Sequence, residues 1–200
     1  MKLISSGTSP FVRKVLVLLN ETGQLDDVEL VTAATTPYDT APEVASANPI
    51  GKIPALIRAE GPAIYDSRVI CRYLDDRARA GLYPDGRLWE TLTLEATADG
   101  IMEAAVLMVY EHKMRPGEAF VEAWVDAQWA KVERAVGALN ARWMSHLRGP
   151  LDMGQIAVGC ALAYLDFRHD DRGWRKGNDA LDDWFAVFAQ RDSMVATRPH

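Results

Sequence analysis

The chain has 200 residues, enough for one large domain or two compact ones that each bury a core. Hydrophobic residues make up 48% and charged residues 25%, a composition typical of globular proteins and too apolar for a disordered one. The 28 acidic residues outnumber the 22 basic ones, for a formal charge of −6, and neither half has a basic excess. Because a nucleic-acid-binding surface needs a basic excess, this charge balance excludes nucleic-acid binding from the predicted functions.

Cysteine usage and the N-terminal segment bear on the compartment. Cys71 and Cys160 lie in apolar, helical-looking stretches, form no CxxC pair and are too few for a disulfide framework. The first seven residues carry one positive charge and no long apolar run, so they do not resemble a signal peptide. No uncharged stretch approaches the roughly 18 residues that span a bilayer. We therefore predict a cytoplasmic protein with reduced thiols and no membrane partner.

Strand and helix patterns alternate in the first 85 residues. Pro10 suits the first turn of a helix, with Ser9 as its N-cap, and Gly23 suits the end of that helix. Gly61 supplies the turn of a predicted hairpin. The predicted elements in chain order are strand 2–5, a helix from Pro10, strand 28–32, a loop with a short helix at 33–48, hairpin arms 53–58 and 63–65, and a helix starting near Ser67.

Strand signals end after Tyr83-Pro84-Asp85-Gly86, and only helical patterns follow. Asp152 and Gln155 have the spacing of a capping box, and the helix after them is apolar nearly all round, which predicts a central position. Apolar residues at steps of three and four predict further helices, with faces Ala98, Ile101, Met102, Ala105, Val106 and Val109; Val125, Trp129, Val132, Val136, Leu139 and Trp143; and Leu181, Trp184, Phe185 and Phe188.

The four histidines and one charged run are predicted to have no role in metal binding or catalysis. The run Arg168–Arg172 is predicted to be a solvated helix end. The four histidines share no spacing typical of metal ligands, so we predict no metal; they are His112, His146, His169 and His200.

Pro54 lies at the start of the predicted strand 53–58. It ends the segment Asn48-Pro49-Ile50-Gly51-Lys52-Ile53-Pro54. Proline is tolerated as the first residue of a strand, and a cis peptide there turns the preceding backbone outward. In that geometry the amide and carbonyl of Ile53 face a ligand as a fixed donor and acceptor. Gly51-Lys52 is not part of a phosphate-binding P-loop, because neither the upstream glycine nor the following Ser or Thr is present.

Two further turns place polar groups at predicted helix starts. Asp66-Ser67 joins a strand to a helix, where Ser67 either caps the helix or helps bind a carboxylate while Asp66 accepts a ligand ammonium. That pair suits the α-amino acid end of a ligand. Ser9 begins the first helix, where one hydrogen bond and the helix dipole favour a thiolate by about one to two pKa units. Simple capping is the alternative for both turns.

The three turns together resemble those of the glutathione transferase superfamily, and most of all the bacterial glutathione-transferase-like proteins with a Ser-Pro-Phe turn. The matching residues are Ser9–Lys14, Asn48–Pro54 and Asp66-Ser67, and the helical remainder with its capping box fits the second domain of that family. The resemblance implies a thioredoxin-like α/β domain at 1–80, followed by an all-α domain at 86–200. It also implies a homodimer with one glutathione site per subunit.

Residue roles follow from the resemblance. Ile53, before a cis Pro54, pairs through its backbone with the cysteinyl part of glutathione, while Asp66 and Ser67 hold the γ-glutamyl end. Lys52 pairs with the glycyl carboxylate. The remaining implied site residues are Phe11 in the first turn, Asp99 reaching the partner subunit's glutathione, and Ser9 as the catalytic residue. Ser5, Ser6 and Thr8 are alternatives to Ser9, and Phe11, Tyr110 and Met114 either line an acceptor pocket or pack in the core.

A serine at position 9 cannot form the mixed disulfides of a cysteine, so we expect conjugation of small electrophiles in detoxification, or glutathione-dependent peroxidase activity. One alternative is a non-catalytic glutathione-binding or regulatory protein, because fold does not fix function. Another is a glutathione-dependent dehalogenase or isomerase with a narrow substrate.

Overall fold

The computed structural model describes residues 1–199, so His200 lies outside the described residues. By its internal contacts the chain divides into two compact units, Met1–Gly86 together with the segment that begins at Asp192, and Arg87–Arg191. The first unit combines a small mixed sheet with helices, and the second is helical. Among residues 1–199, no helix is both long enough and apolar enough to cross a membrane.

The first unit is built on a three-stranded sheet with β1 in the centre. β1 (Lys2–Ser5) pairs in parallel with β2 (Glu29–Thr32) and antiparallel with β3 (Ala55–Ile57). Its helices are α1 (Pro10–Glu21), α2 (Pro42–Ala47), α3 (Ser67–Ala78) and α9 (Asp192–Ala196). A core of Ile4, Ala33, Val44, Ala47 and Ala55 fills the space between the sheet and α2.

The predicted hairpin is reduced to one pair of residues. Leu56 and Ile64 exchange two backbone hydrogen bonds of 2.9 Å, but no second strand forms at 63–65. Pro62 has no N–H to donate, and its carbonyl accepts from the Arg58 guanidinium at 3.0 Å instead. The ladder therefore cannot extend toward the Gly61 turn.

The last helix packs where the sequence did not place it. The predicted helical domain ran over 86–200, whereas α9 packs against α1 in the first unit. The buried Arg13 guanidinium donates to the Met194 carbonyl at 3.0 Å, and the Ser193 hydroxyl donates to Glu21. A five-residue helix carries too short a pattern to show which partner it packs against.

The second unit is a helical bundle around α7. Its helices are α4 (Leu88–Met114), α5 (Glu122–Arg142), α6 (Met144–Leu147), α7 (Met153–His169) and α8 (Asp179–Phe188). Every residue from Met153 to Leu162 is buried, which confirms the predicted central helix. The capping box is also confirmed: the Asp152 amide donates to Gln155 Oε1 at 2.6 Å, and the Gln155 amide donates to Asp152 Oδ1 at 3.2 Å.

The predicted solvated end of α7 is wrong at His169. Its side chain is 6% exposed and its Nε2 lies 3.0 Å from the Ala105 carbonyl of α4, so the neutral ring donates a hydrogen bond there. Burial lowers the pKa of His169 below 6.5; the Ala105 carbonyl and Asp171 act in the opposite direction, and Arg172 and His112 add to the lowering. The neutral ring is therefore part of the folded core.

We expect acid to destabilise the protein through His169. The folded state binds fewer protons than the unfolded state below about pH 6.5, so the free energy of unfolding falls as the pH decreases, by at most about 1.4 kcal/mol per pH unit for one proton. Urea titrations between pH 7.5 and 5 measure this slope. His169→Gln keeps an N–H donor without titrating and should flatten the slope. An unchanged slope in this variant contradicts the prediction.

Candidate glutathione site

The topology brings two of the three sequence motifs to the same edge of the sheet. Because β1 and β3 are antiparallel and Ile4 pairs with Ala55, the turn that follows β1 and the loop that precedes β3 meet there. Ser9 lies in that turn, and Ile53-Pro54 lies in that loop. The third motif begins α3, which packs on α1.

Ser9 caps α1 as predicted. Its Oγ accepts a hydrogen bond from the Val12 amide at 3.3 Å, and none of the hydrogen bonds of residues 1–199 uses the Ser9 O–H as donor. The three nearby alternatives, Ser5, Ser6 and Thr8, differ from it. Ser5 is buried and donates to the Val31 carbonyl, and Ser6 contacts Thr8 through their hydroxyl groups at the exposed turn. Ser9 thus combines a fixed oxygen at a helix N-terminus with a hydroxyl proton available to a ligand.

The loop before β3 is held by Asn48. Its side chain donates to the Lys52 carbonyl at 2.8 Å and accepts from the Ile50 amide at 3.0 Å, and it is 2% exposed. Gly51 has φ +70°, and an added Cβ would meet Thr40 Oγ1 at 2.9 Å, so this position requires glycine. The loop leaves the Lys52 side chain exposed.

The Ile53–Pro54 peptide is cis, which confirms the sequence prediction. The Ile53 side chain packs against the core of the first unit, so a ligand at this position meets its backbone rather than its side chain. Pro54 is buried and leads directly into β3.

The residue that caps α3 is Asp66, which corrects one detail of the prediction. Asp66, not Ser67, is the N-cap, and its Oδ1 accepts from the Arg68 amide at 3.0 Å. Ser67 is the first helical residue and is 2% exposed. An aspartate side chain reaches the amides of the first turn as well as serine does, so the sequence did not distinguish the two caps.

Asp66 is surrounded by positive charge. Its carboxylate forms an ion pair with the Arg68 guanidinium at 2.8 Å, and both side chains are about half exposed. Burial acts to raise the pKa of Asp66, but the hydrogen bonds and charge of Arg68, with the fully buried Lys14, outweigh it and lower the pKa. Asp66 is therefore ionised at neutral pH, and a ligand ammonium would share this carboxylate with Arg68.

Three residues of the site escaped the sequence analysis as individual contributors: Asn48, Arg68 and Lys14. Asn48 preceding a proline carried a signal, because Asn side chains commonly bond to the backbone two residues on. Arg68, two residues after Asp66, carried little signal in the sequence. The burial of Lys14 on α1 depends on tertiary packing, which the sequence does not show.

The other candidates are spread over both units. Phe11 is partly buried in the first turn of α1. Asp99, which is 6% exposed, Tyr110 and Met114 lie on α4 of the helical unit. Among residues 1–199, no group of three or more His, Cys, Asp or Glu side chains is arranged to hold a metal ion.

Comparison with known families agrees with this geometry. Residues 8–77 match the model of the glutathione S-transferase N-terminal domain, and residues 122–186 match that of the C-terminal domain. The chain belongs to the glutathione S-transferase family. Among curated proteins it is similar to the uncharacterized GST-like protein YibF of Escherichia coli K12, with 33% identity over 205 residues, covering 100% of this chain and 98% of YibF.

Similar solved structures carry glutathione or a derivative. A glutathione transferase family member from Pseudomonas fluorescens Pf-5 with bound glutathione is 44% identical, with a TM-score of 0.97 over 100% of this chain and 98% of that chain. A second structure of a family member from this organism, also 44% identical, holds S-(propanoic acid)-glutathione, with a TM-score of 0.92 over the full length of both chains. A Methylobacillus flagellatus transferase with bound GSH is 34% identical, with a TM-score of 0.85, covering 100% and 99%.

Proposed function

We propose that the protein is a glutathione transferase that conjugates the thiolate of glutathione to small electrophiles. The observation that carries this proposal is the Ser9 hydroxyl, held at the N-terminus of α1 on the sheet edge to which the Ile53-Pro54 loop leads. The relatives with bound glutathione support glutathione as the co-substrate. S-(propanoic acid)-glutathione, bound in one of them, carries a small group on its sulfur and supports a small electrophile as the second substrate.

Ser9 supplies the chemical step in this proposal. Its Oγ accepts from the Val12 amide, which leaves the O–H to donate to the glutathione sulfur. This bond and the positive end of the α1 dipole stabilise the thiolate over the thiol. The thiolate then attacks the electrophile with its lone pair, and the leaving group departs with the electrons of the broken bond. A glutathione-dependent peroxidase reaction would use the same thiolate.

The remaining residues hold glutathione. The Ile53 backbone pairs with the cysteinyl part, and the exposed Lys52 ammonium attracts the glycyl carboxylate. The Asp66 carboxylate accepts the γ-glutamyl ammonium, while the N-terminus of α3 at Ser67 binds the neighbouring carboxylate. The lowered pKa of Asp66 supports this role, because the carboxylate keeps its charge at neutral pH.

The wider context of this function is also a proposal. We propose a homodimer in which Asp99 contributes to the partner's glutathione site, and a detoxification role in the cytoplasm. Cys71 and Cys160 are buried thiols rather than disulfide sulfurs, which supports a reducing compartment. Phe11 is proposed to contact glutathione from the first turn of α1.

Calorimetric titration of glutathione into the purified protein tests the site. We expect a Kd between micromolar and low millimolar, which corresponds to a binding free energy of about −8 to −4 kcal/mol. Ser67→Ala should weaken binding about tenfold or more, since it removes a hydrogen bond to a charged group. Ser145→Ala, an exposed serine of α6, is the matched control and should bind as the wild type does. Absence of heat at several temperatures, with no competition by S-methylglutathione, would instead favour a non-catalytic interaction protein.

A further inference from the structure

A group of aromatic and basic side chains lies on two packed helices of the helical unit. It consists of Tyr110 on α4 and Tyr164, Phe167 and Arg168 on α7, and we refer to it as the phenol–arginine cluster. The Tyr164 and Phe167 ring centroids are 6.4 Å apart, and the Arg168 guanidinium carbon lies 4.1 Å from the Phe167 centroid. Spacings of three and four residues put the α7 members on one face of the helix.

Arg168 has no acidic partner among the described residues 1–199. Its Nε is buried and makes no hydrogen bond with any group of residues 1–199, and no carboxylate of those residues lies within ion-pair distance. Neighbouring arginines are paired: Arg172 contacts Asp126 at 3.1 Å, and Arg175 contacts Asp166 at 2.6 Å. A buried donor on a permanent cation costs free energy until an acceptor reaches it. Arg168 is therefore suited to an acceptor that comes from outside the chain.

The two phenols add donors to this cation. Burial raises the pKa of Tyr110. Burial also raises the pKa of Tyr164, with a smaller contribution from Tyr110, while Arg168 acts to lower it. Both phenols are protonated at neutral pH and have an O–H to donate. The Arg168 guanidinium interacts with Tyr164, Tyr110 lies near Tyr164, and with the Phe167 ring these groups match the two oxygens of a carboxylate on a small apolar body.

We propose that the phenol–arginine cluster binds the carboxylate of a small organic acid. The acid is either part of the electrophile, in which case the inference rests on the proposed function and names its substrate class, or a separate ligand of the helical unit. The two sources share one recognition chemistry, and separate experiments distinguish them.

Direct binding tests the cluster without glutathione. Benzoate and benzamide, which differ in charge but hardly in shape, are titrated into the protein by calorimetry. We expect benzoate to bind at least about tenfold more tightly, because it gains a charge-assisted hydrogen bond. Arg168→Met should abolish the preference and Arg168→Lys should retain part of it. Arg172→Met is the matched control, since it removes one positive charge nearby and should leave the preference intact.

Kinetics identify the source of the carboxylate. With 4-chloro-3-nitrobenzoate and its amide, sulfur bonds to the ring carbon and chloride leaves with the bonding pair. If the electrophile carries the carboxylate, Arg168→Met lowers the kcat/KM for the acid relative to the amide by about ten- to a hundredfold, and Arg172→Met leaves the ratio unchanged. An unchanged ratio with benzoate binding that depends on Arg168 supports a separate acid.

The experiments give different results if the proposed carboxylate binding is wrong and if the proposed transferase activity is wrong. Equal affinities for benzoate and benzamide, or a benzoate preference that persists in a folded Arg168→Met protein, overturn the proposal. Thermal unfolding monitored by circular dichroism establishes that each variant is folded. A protein that conjugates neither electrophile contradicts the proposed transferase activity, and the benzoate titration still decides whether the cluster binds a carboxylate.

Discussion

Replacing Ser9 with alanine is expected to lower turnover with glutathione and a reactive electrophile by about ten- to a thousandfold, the loss seen when one preorganised donor is removed. The reason is the position of the hydroxyl: its oxygen is fixed by the Val12 amide, and its proton has no acceptor among residues 1–199. Steady-state kinetics with 1-chloro-2,4-dinitrobenzene measure the effect.

Ser9 also caps α1, so its structural and chemical roles must be separated. Loss of the cap costs about 1 kcal/mol of stability. If Ser9 also stabilises the thiolate, Ser9→Ala raises the pKa of the bound glutathione thiol toward its ordinary value of about 8.5. The ultraviolet absorbance of the thiolate follows this pKa in the binary complex. Ser9→Thr retains a hydroxyl and a cap and should recover most of the activity.

Variants of the neighbouring hydroxyls complete the test. Ser6→Ala and Thr8→Ala remove exposed groups that contact each other, and we expect nearly full activity from both. A Ser9→Ala protein as active as the wild type, with loss of activity in either neighbour, would assign the thiolate contact to another residue. Ser9→Cys is expected to form a mixed disulfide with glutathione, detectable by mass spectrometry.

Local chemistry made much of the geometry of the candidate site predictable. Helix caps and the residue before a proline depend on neighbours in the chain, so Ser9, the cis Pro54 and the start of α3 could be located from sequence. The choice between Asp66 and Ser67 as cap was beyond that reasoning, because both residue types cap helices.

Contacts between distant segments were not predictable in the same way. The charged run at the end of α7 suggested solvent exposure, but α4 covers His169 and supplies its carbonyl partner. The packing of α9 on α1 depends on Arg13 contacting residues more than 180 positions away, such as Met194. Periodicity gives the apolar face of a helix without specifying the segment that covers it.

The second large effect is expected at Asp152, which lies at the centre of a buried polar network. Its side chain is 0% exposed, and its Oδ2 contacts His146 Nε2 at 2.6 Å, the Thr91 hydroxyl at 3.1 Å and the Arg87 guanidinium at 3.8 Å. Its Oδ1 caps α7. Asp152→Ala leaves Thr91 and His146 without their acceptor in the interior and removes the cap, so we expect a loss of about 3 to 5 kcal/mol in the free energy of unfolding.

Urea denaturation of Asp152→Ala and Asp152→Asn measures this loss and divides it between capping and charge. Asparagine is also a good cap and should retain the bond from the Gln155 amide, so Asp152→Asn compared with the wild type reports the loss of the negative charge facing His146 and Arg87, and the difference between the two variants reports the loss of the cap. Asp152→Ala within about 1 kcal/mol of the wild type would contradict a central role for the network. Because α7 is the helix buried along most of its length, weakening its start should loosen the whole helical unit, and hydrogen exchange in α7 and α4 should accelerate together.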